Sequence, residues 1–116
     1  FQIGDITIPT LLTLAPMAGH TNAAFRRLVR QIGGCGLVCT ELISSNALNN
    51  KGSREQSLKL FDWDSVAEYP VAVQLFGSDP YTVAEAARIV ADKGLLLSVY
   101  FVGRIVGLCD LSIASG

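Results

Sequence analysis

Charged side chains are scarce in this sequence. They make up 16% of its 116 residues, against 50% for hydrophobic ones. Neither sign dominates, since nine Lys and Arg face ten Asp and Glu and the formal net charge is −1. That balance excludes a broadly basic surface, so any nucleic-acid contact has to be local. Histidine occurs once, at His20, and cysteine only at Cys35, Cys39 and Cys109. No second Cys or His pair supplies zinc-ligand spacing, and reduced thiols in a cytosolic protein are expected instead. No G-x-G-x-x-G follows the first apolar run, which argues against the dinucleotide-binding kind of doubly wound sheet. Phe1–Gly19 lacks a basic start followed by an apolar block, so no signal peptide is expected and the expected location is cytoplasmic. The first residue is Phe1 rather than Met, which reads as a trimmed or missing N-terminus.

What the sequence does have is a series of short apolar runs separated by helical patterns, with a mean hydropathy of +0.41. Strands buried on both faces read as such continuous runs. Phe1–Pro9 alternates at Ile3, Ile6 and Ile8 around Gly4-Asp5, as expected of a small hairpin covering the end of a barrel. Leu11–Ala15 reads as a buried strand stopped by Pro16. Ala18 and Gly19 then leave the main chain nearly bare, so a flat ligand could lie against it. A helix follows over about Asn22–Ile32, capped by Thr21 or Asn22. Its Phe25, Leu28, Val29 and Ile32 share one apolar face. Arg26, Arg27 and Arg30 fall elsewhere, as a solvated face or an RNA or phosphate contact.

Gly33-Gly34-Cys35-Gly36 ends that helix in a turn, and Leu37–Thr40 is a second strand with Glu41 at its carboxyl end. Ser44–Ser57 reads as helical turns and loop, followed by apolar anchors at Leu58, Leu60, Phe61 and Trp63. Val71–Phe76 is a third strand, and Ser78 or Asp79 caps a helix running from Pro80 to about Lys93. Val83, Ala86, Ala87 and Val90 line one of its faces. This order predicts parallel βαβ units. The expected fold class is therefore α/β, the N-terminal portion of a TIM (β/α)8 barrel, truncated because such barrels take about 250 residues.

In a barrel the carboxyl ends of the strands hold the site. Three features stand there: Pro16-Met17-Ala18, Glu41 and Gln74. Gln74 interrupts an apolar strand, and a buried amide needs partners for its oxygen and its NH2. A ligand with alternating donors and acceptors would satisfy it, as would neighbouring backbone. Glu41 could be a base, a hydroxyl partner or a capping acid. His20 lies on the same loop, either incidental or catalytic.

The stretches LAPMAGHTNAAFRRLVRQIGG, CTELISSNAL and YPVAVQLFGSDPYTVAEAARIVADKG, in that order over residues 3–94, resemble the N-terminal part of the tRNA-dihydrouridine synthase family. The resemblance implies an FMN-binding barrel that reduces the C5–C6 double bond of a uridine in tRNA, with NAD(P)H as reductant. It further implies that Pro16, Met17 and Ala18 line the flavin ring, that Gln74 hydrogen-bonds it, and that Glu41 stands on the substrate side. No metal is expected, and in the apolar tail the central Arg104 and two glycines weigh against a membrane anchor. Beyond Gly94 the resemblance stops: Arg104 occupies the place of the family's cysteine general acid, and Cys109 lacks its surrounding motif. A division is therefore expected between residues 1–94, three βα units of the barrel, and 95–116, a divergent apolar tail that could supply a fourth strand. The expectation is an incomplete, inactive member. The alternatives are a non-catalytic fragment acting through protein contact and a different flavin barrel oxidoreductase.

Overall fold

The computed structural model describes residues 1–59 and 62–92, and the backbone of 97–102. The chain opens with β1 (Gln2–Ile3) and β2 (Ile6–Thr7), an antiparallel hairpin turned at Gly4, whose φ of +57° suits glycine. β3 (Leu12–Leu14), β4 (Cys35–Ser44), β5 (Val71–Gly77) and β6 (Leu97–Val102) then form a sheet in the order β3-β4-β5-β6. Every pairing is parallel. Strands stand beside their chain neighbours without a reversal, so the described residues contain no switch point of the doubly wound kind.

Helices cover one face of this sheet. α1 (Ala23–Ile32) joins β3 to β4, while α2 (Ser45–Asn49) and α3 (Arg54–Lys59) precede β5. α4 (Pro80–Asp92) follows β5. Val38, Ile43, Val71, Val73 and Leu75 point to this side and meet Leu48, Ala86 and Val90 in one buried cluster. Burying a side chain of that kind contributes about 1.5–3 kcal/mol, so this layer holds the sheet and helices together. On the opposite face Leu37, Cys39 and Ala72 pack with Ile8, and Ile3 and Ile6 of the hairpin lie against them. The hairpin thus covers part of the sheet face opposite the helices. Gly36 makes that approach possible, since a Cβ there would lie 2.6 Å from the Thr10 carbonyl oxygen.

Several expectations need correction. Leu11–Ala15 is not a buried strand: only Leu12–Leu14 pairs, at the sheet edge, and Leu11 and Leu12 are 85% and 67% exposed. The second strand is longer than Leu37–Thr40. It starts at Cys35, runs through Glu41 to Ser44, and carries an irregularity between Cys39 and Leu42. The apolar face of α1 is turned outward, with Phe25, Leu28 and Ile32 exposed and Val29 half-buried. The side facing the protein carries Arg26, which is fully buried. The reason is hydrogen bonding: its Nη1 donates to the Thr21 carbonyl and its Nη2 to the Asp62 carbonyl, both at 2.6 Å. Arg30 donates likewise to the carbonyls of Cys35, Glu68 and Pro70. Two guanidinium groups thus fasten α1 to the segment ahead of β5, and they are not a solvated face.

Other expectations hold. Asn22 caps α1 through the Phe25 N–H, and Asp79 accepts from the Thr82 N–H at the start of α4. Val83, Ala86 and Val90 are buried, and Leu58 and Trp63 pack against the core. Within residues 95–116, the backbone of β6 pairs in parallel with β5. Leu60, Phe61, Arg104 and Cys109 lie outside the described residues. No helix among the described residues is long and apolar enough to cross a membrane.

Candidate functional site

Because all strands of the sheet run the same way, their carboxyl ends share one rim. Leu14 pairs with Val38, Val38 with Val71, and Gln74 lies three residues further along β5. The loop after Leu14 and the Gln74 side chain therefore stand at the same end of the sheet. In that loop Pro16 is half-buried, Ala18 exposed and Met17 40% exposed.

The loop is built around Thr21. This residue is fully buried; its hydroxyl accepts from the Met17 N–H and donates to the Met17 carbonyl, each at 3.1 Å. The backbone N–H groups of His20 and Thr21 also donate to that carbonyl. Gly19 takes φ of +77°, a left-handed conformation open to glycine without strain. Its N–H donates to Oε2 of Glu41 at 2.9 Å, so the second strand holds the first loop. The irregularity between Cys39 and Leu42 falls at Glu41; bulges of this kind re-aim side chains beside functional sites.

Gly19, Glu41 and the start of α1, Asn22 to Ala24, form one wall of a cleft of about 460 Å³, and Lys59 and Asp62 form the other. Arg26 ties the two walls together from behind, through the carbonyls of Thr21 and Asp62. Its Nε stands 3.3 Å from Oε1 of Glu68, an ion pair buried on both sides. Glu68 Oε2 accepts from the Asp64 N–H at 2.8 Å. Gln74 does not line this cleft. It is half-buried on the sheet face opposite the helices, with Ala72 and Phe76 on the same side of β5, and its amide bonds no other described residue. His20 is exposed and contributes its backbone to the turn.

Of the two cysteines among the described residues, Cys35 begins β4 at its far end and Cys39 is buried. Burial pushes the Cys39 thiol up to about 11, with the neighbouring Cys35 adding to the effect, so Cys39 stays protonated at neutral pH. Among the described residues no cluster of His, Cys, Asp or Glu could hold a metal ion.

The model of the dihydrouridine synthase family matches residues 13–96, from within β3 through the Pro16–Thr21 loop, Glu41 and Gln74 to beyond α4. The chain belongs to the dihydrouridine synthase family. It is 42% identical over 93 residues to tRNA-dihydrouridine synthase B of Pseudomonas aeruginosa, an alignment covering 80% of this chain and 27% of that protein. It is 42% identical over 83 residues to the tRNA-dihydrouridine(20/20a) synthase of Synechocystis, covering 72% and 23%. A probable tRNA-dihydrouridine synthase of Mycobacterium tuberculosis is 37% identical over 100 residues, covering 81% and 25%. The chain thus spans about a quarter of the length of these curated relatives.

From the sequence the Pro16–Ala18 loop, Glu41 and Gln74 are legible as candidates, but not the contacts that position the loop. Thr21 read as a possible helix cap, and it shapes the loop instead. Arg26 and Arg30 read as surface, although their spacing of four puts both on one side of a helix. That spacing is the one local signal; Glu68, their carboxylate and carbonyl partner, is remote in sequence.

Proposed function

We propose that this chain is the N-terminal portion of the (β/α)8 barrel of a tRNA-dihydrouridine synthase, reducing the C5–C6 double bond of a uridine in tRNA. Membership of the family carries the reading. The sequential parallel order of β3 to β6, with helices on one face, supports a barrel over a doubly wound sheet. The residues at the rim fit FMN. The Gln74 amide, half-buried and without a hydrogen bond to another described residue, offers a donor and an acceptor to the edge of a flavin ring. Pro16, Met17 and Ala18 would lie along the ring, where the lack of bulky polar side chains permits close approach. The phosphate end of the group is assigned to none of the described residues.

When bound, FMN would supply hydride chemistry, with NAD(P)H as the electron source. The protein's part is to hold the ring, receive an unstacked uridine beside it and keep water out. Gln74 would orient the ring, and the Pro16–Thr21 loop, held by Thr21 and Glu41, would fix its depth. The cleft walled by Gly19, Glu41, Lys59 and Asp62 would stand on the substrate side. The proton donor is assigned to no described residue, since Arg104 and Cys109 both fall outside them.

The test is to add FMN to the purified chain, remove the excess and record the flavin absorbance. A retained flavin band is expected in the wild-type chain, with Gln74→Ala retaining at least about tenfold less, the cost of a lost pair of hydrogen bonds. Dihydrouridine formed in tRNA with NADPH would then extend the reading to catalysis. Flavin retained with no action on tRNA would favour another flavin oxidoreductase. No retained flavin would leave a fragment acting through protein contact.

A further inference from the structure

We infer that Glu41 is a positioning residue: its carboxylate holds the Gly19 amide and so pre-forms the Pro16–Thr21 loop. The inference rests on the proposed flavin site for its purpose but on the geometry of the rim for its substance.

Three observations converge on it. The Gly19 N–H reaches Glu41 Oε2 at 2.9 Å, a hydrogen bond of ordinary length whose acceptor is charged when ionised. Gly19 adopts φ of +77°, so its N–H direction is set by a backbone conformation that few other residues would keep. The break in register between Cys39 and Leu42 falls at Glu41, inside β4, and an irregularity of this kind re-aims a side chain, here across to the neighbouring loop.

The loop's other fastenings come from Thr21 itself and from Arg26 of α1, whose Nη1 donates to the Thr21 carbonyl. Thr21 ties Met17 to itself and gives the turn its shape, but no bond of Thr21 reaches another strand. Among the described residues, Glu41 is therefore the hydrogen-bonding link between the loop at its tip and the rest of the sheet. A loop whose backbone must meet a flat ring gains affinity from being fixed beforehand, because binding then spends less on ordering it. Glu41 also faces Lys59 and Asp62 across the cleft, so its charge is part of the surroundings of whatever enters there. A test must therefore separate the acceptor from the charge.

Two substitutions do so. Glu41→Gln keeps an oxygen acceptor for the Gly19 N–H and removes the charge. Glu41→Met keeps the length and removes both. Hydrogen exchange at the Gly19 amide reads the bond itself and needs no flavin; FMN affinity reads its consequence. Glu41→Met is expected to speed Gly19 exchange at least about tenfold and to weaken FMN binding by a similar factor, while Glu41→Gln stays within about threefold of wild type in both. If Glu41→Met does not fold, Glu41→Ala takes its place, and the Glu41→Gln arm stands alone against wild type. Gly19 exchange unchanged in Glu41→Met, or raised as much in Glu41→Gln, overturns the inference. If wild type binds no FMN while the exchange pattern is as expected, the flavin reading fails and the brace stands. The two failures are thus distinct.

Discussion

At the scale of single residues, the decisive feature is the burial of charge. Arg26 and Glu68 are both fully buried, and Arg26 Nε and Glu68 Oε1 lack a hydrogen-bond partner in the described structure. Desolvating such a pair costs much of what its attraction returns, so the pair as a whole need not stabilise the fold. Removing one partner is different, because it strands the other charge away from water. Arg26→Met and Glu68→Leu are each expected to destabilise by about 3–5 kcal/mol, and the double variant by less than the sum of the two. Urea unfolding of the four proteins checks this; strictly additive losses would mean the pair is not coupled. The carbonyls of Thr21 and Asp62 that Arg26 also serves argue that part of the loss in Arg26→Met comes from loosening the cleft walls. Magnitude separates this pair from Glu85–Arg88 on the outer side of α4, whose exposed side chains contribute at most about 1 kcal/mol.

At the scale of elements, end chemistry and face chemistry behaved differently. The ends were legible. Asn22 begins α1, Gly33 ends it with φ of +90°, and Asp79 with Pro80 begins α4. Caps of this kind act within a turn of helix, so a few neighbouring residues suffice to predict them. They also predict a pH dependence. The Thr82 hydroxyl and N–H hold the Asp79 carboxyl below its ordinary value of 3.8, and the Ala67 and Val66 N–H groups do the same for Asp64. A lowered folded-state value means the native state favours the ionised form. The contribution is full above the ordinary value and lost as pH falls through the lowered one. The unfolding midpoint is expected to drop as pH falls below about 4, and Asp79→Asn, which caps without titrating, should flatten that fall. A midpoint insensitive to acid in the wild-type chain would refute it. The faces were less legible. In α4 the apolar stripe packs on the sheet as its periodicity suggests, whereas in α1 the stripe points outward. Periodicity records that a face is apolar; what lies against it depends on elements distant in sequence.

At the scale of the whole molecule, β3 stands at one edge of the sheet with Leu11 and Leu12 exposed, and Phe25, Leu28 and Ile32 are exposed on α1. Exposed strand edges and apolar surface favour association. The 116-residue chain is expected to self-associate as concentration rises, and Leu11→Lys with Ile32→Glu to shift it toward monomer, as read by sedimentation velocity. A monomeric wild-type chain at every concentration would contradict this. The same surface shows why flavin binding is best measured on the chain and its variants side by side, since association would act on all of them alike.

The sequence by itself determined the order of strands and helices, the turns at Gly4 and Gly33, the candidate rim residues and the family. Each of these depends on a pattern spanning a few residues, or on motifs whose order the chain displays directly. Only the tertiary structure decided that Arg26 is buried, that Glu41 holds Gly19, and that Gln74 stands apart from the cleft. Glu41 and Gly19 lie 22 residues apart, and Arg26 and Glu68 lie 42 apart. Contacts over such separations follow from how the sheet and helices pack, because a guanidinium or a carboxylate takes whichever partner the fold brings within reach, and no local pattern names that partner in advance.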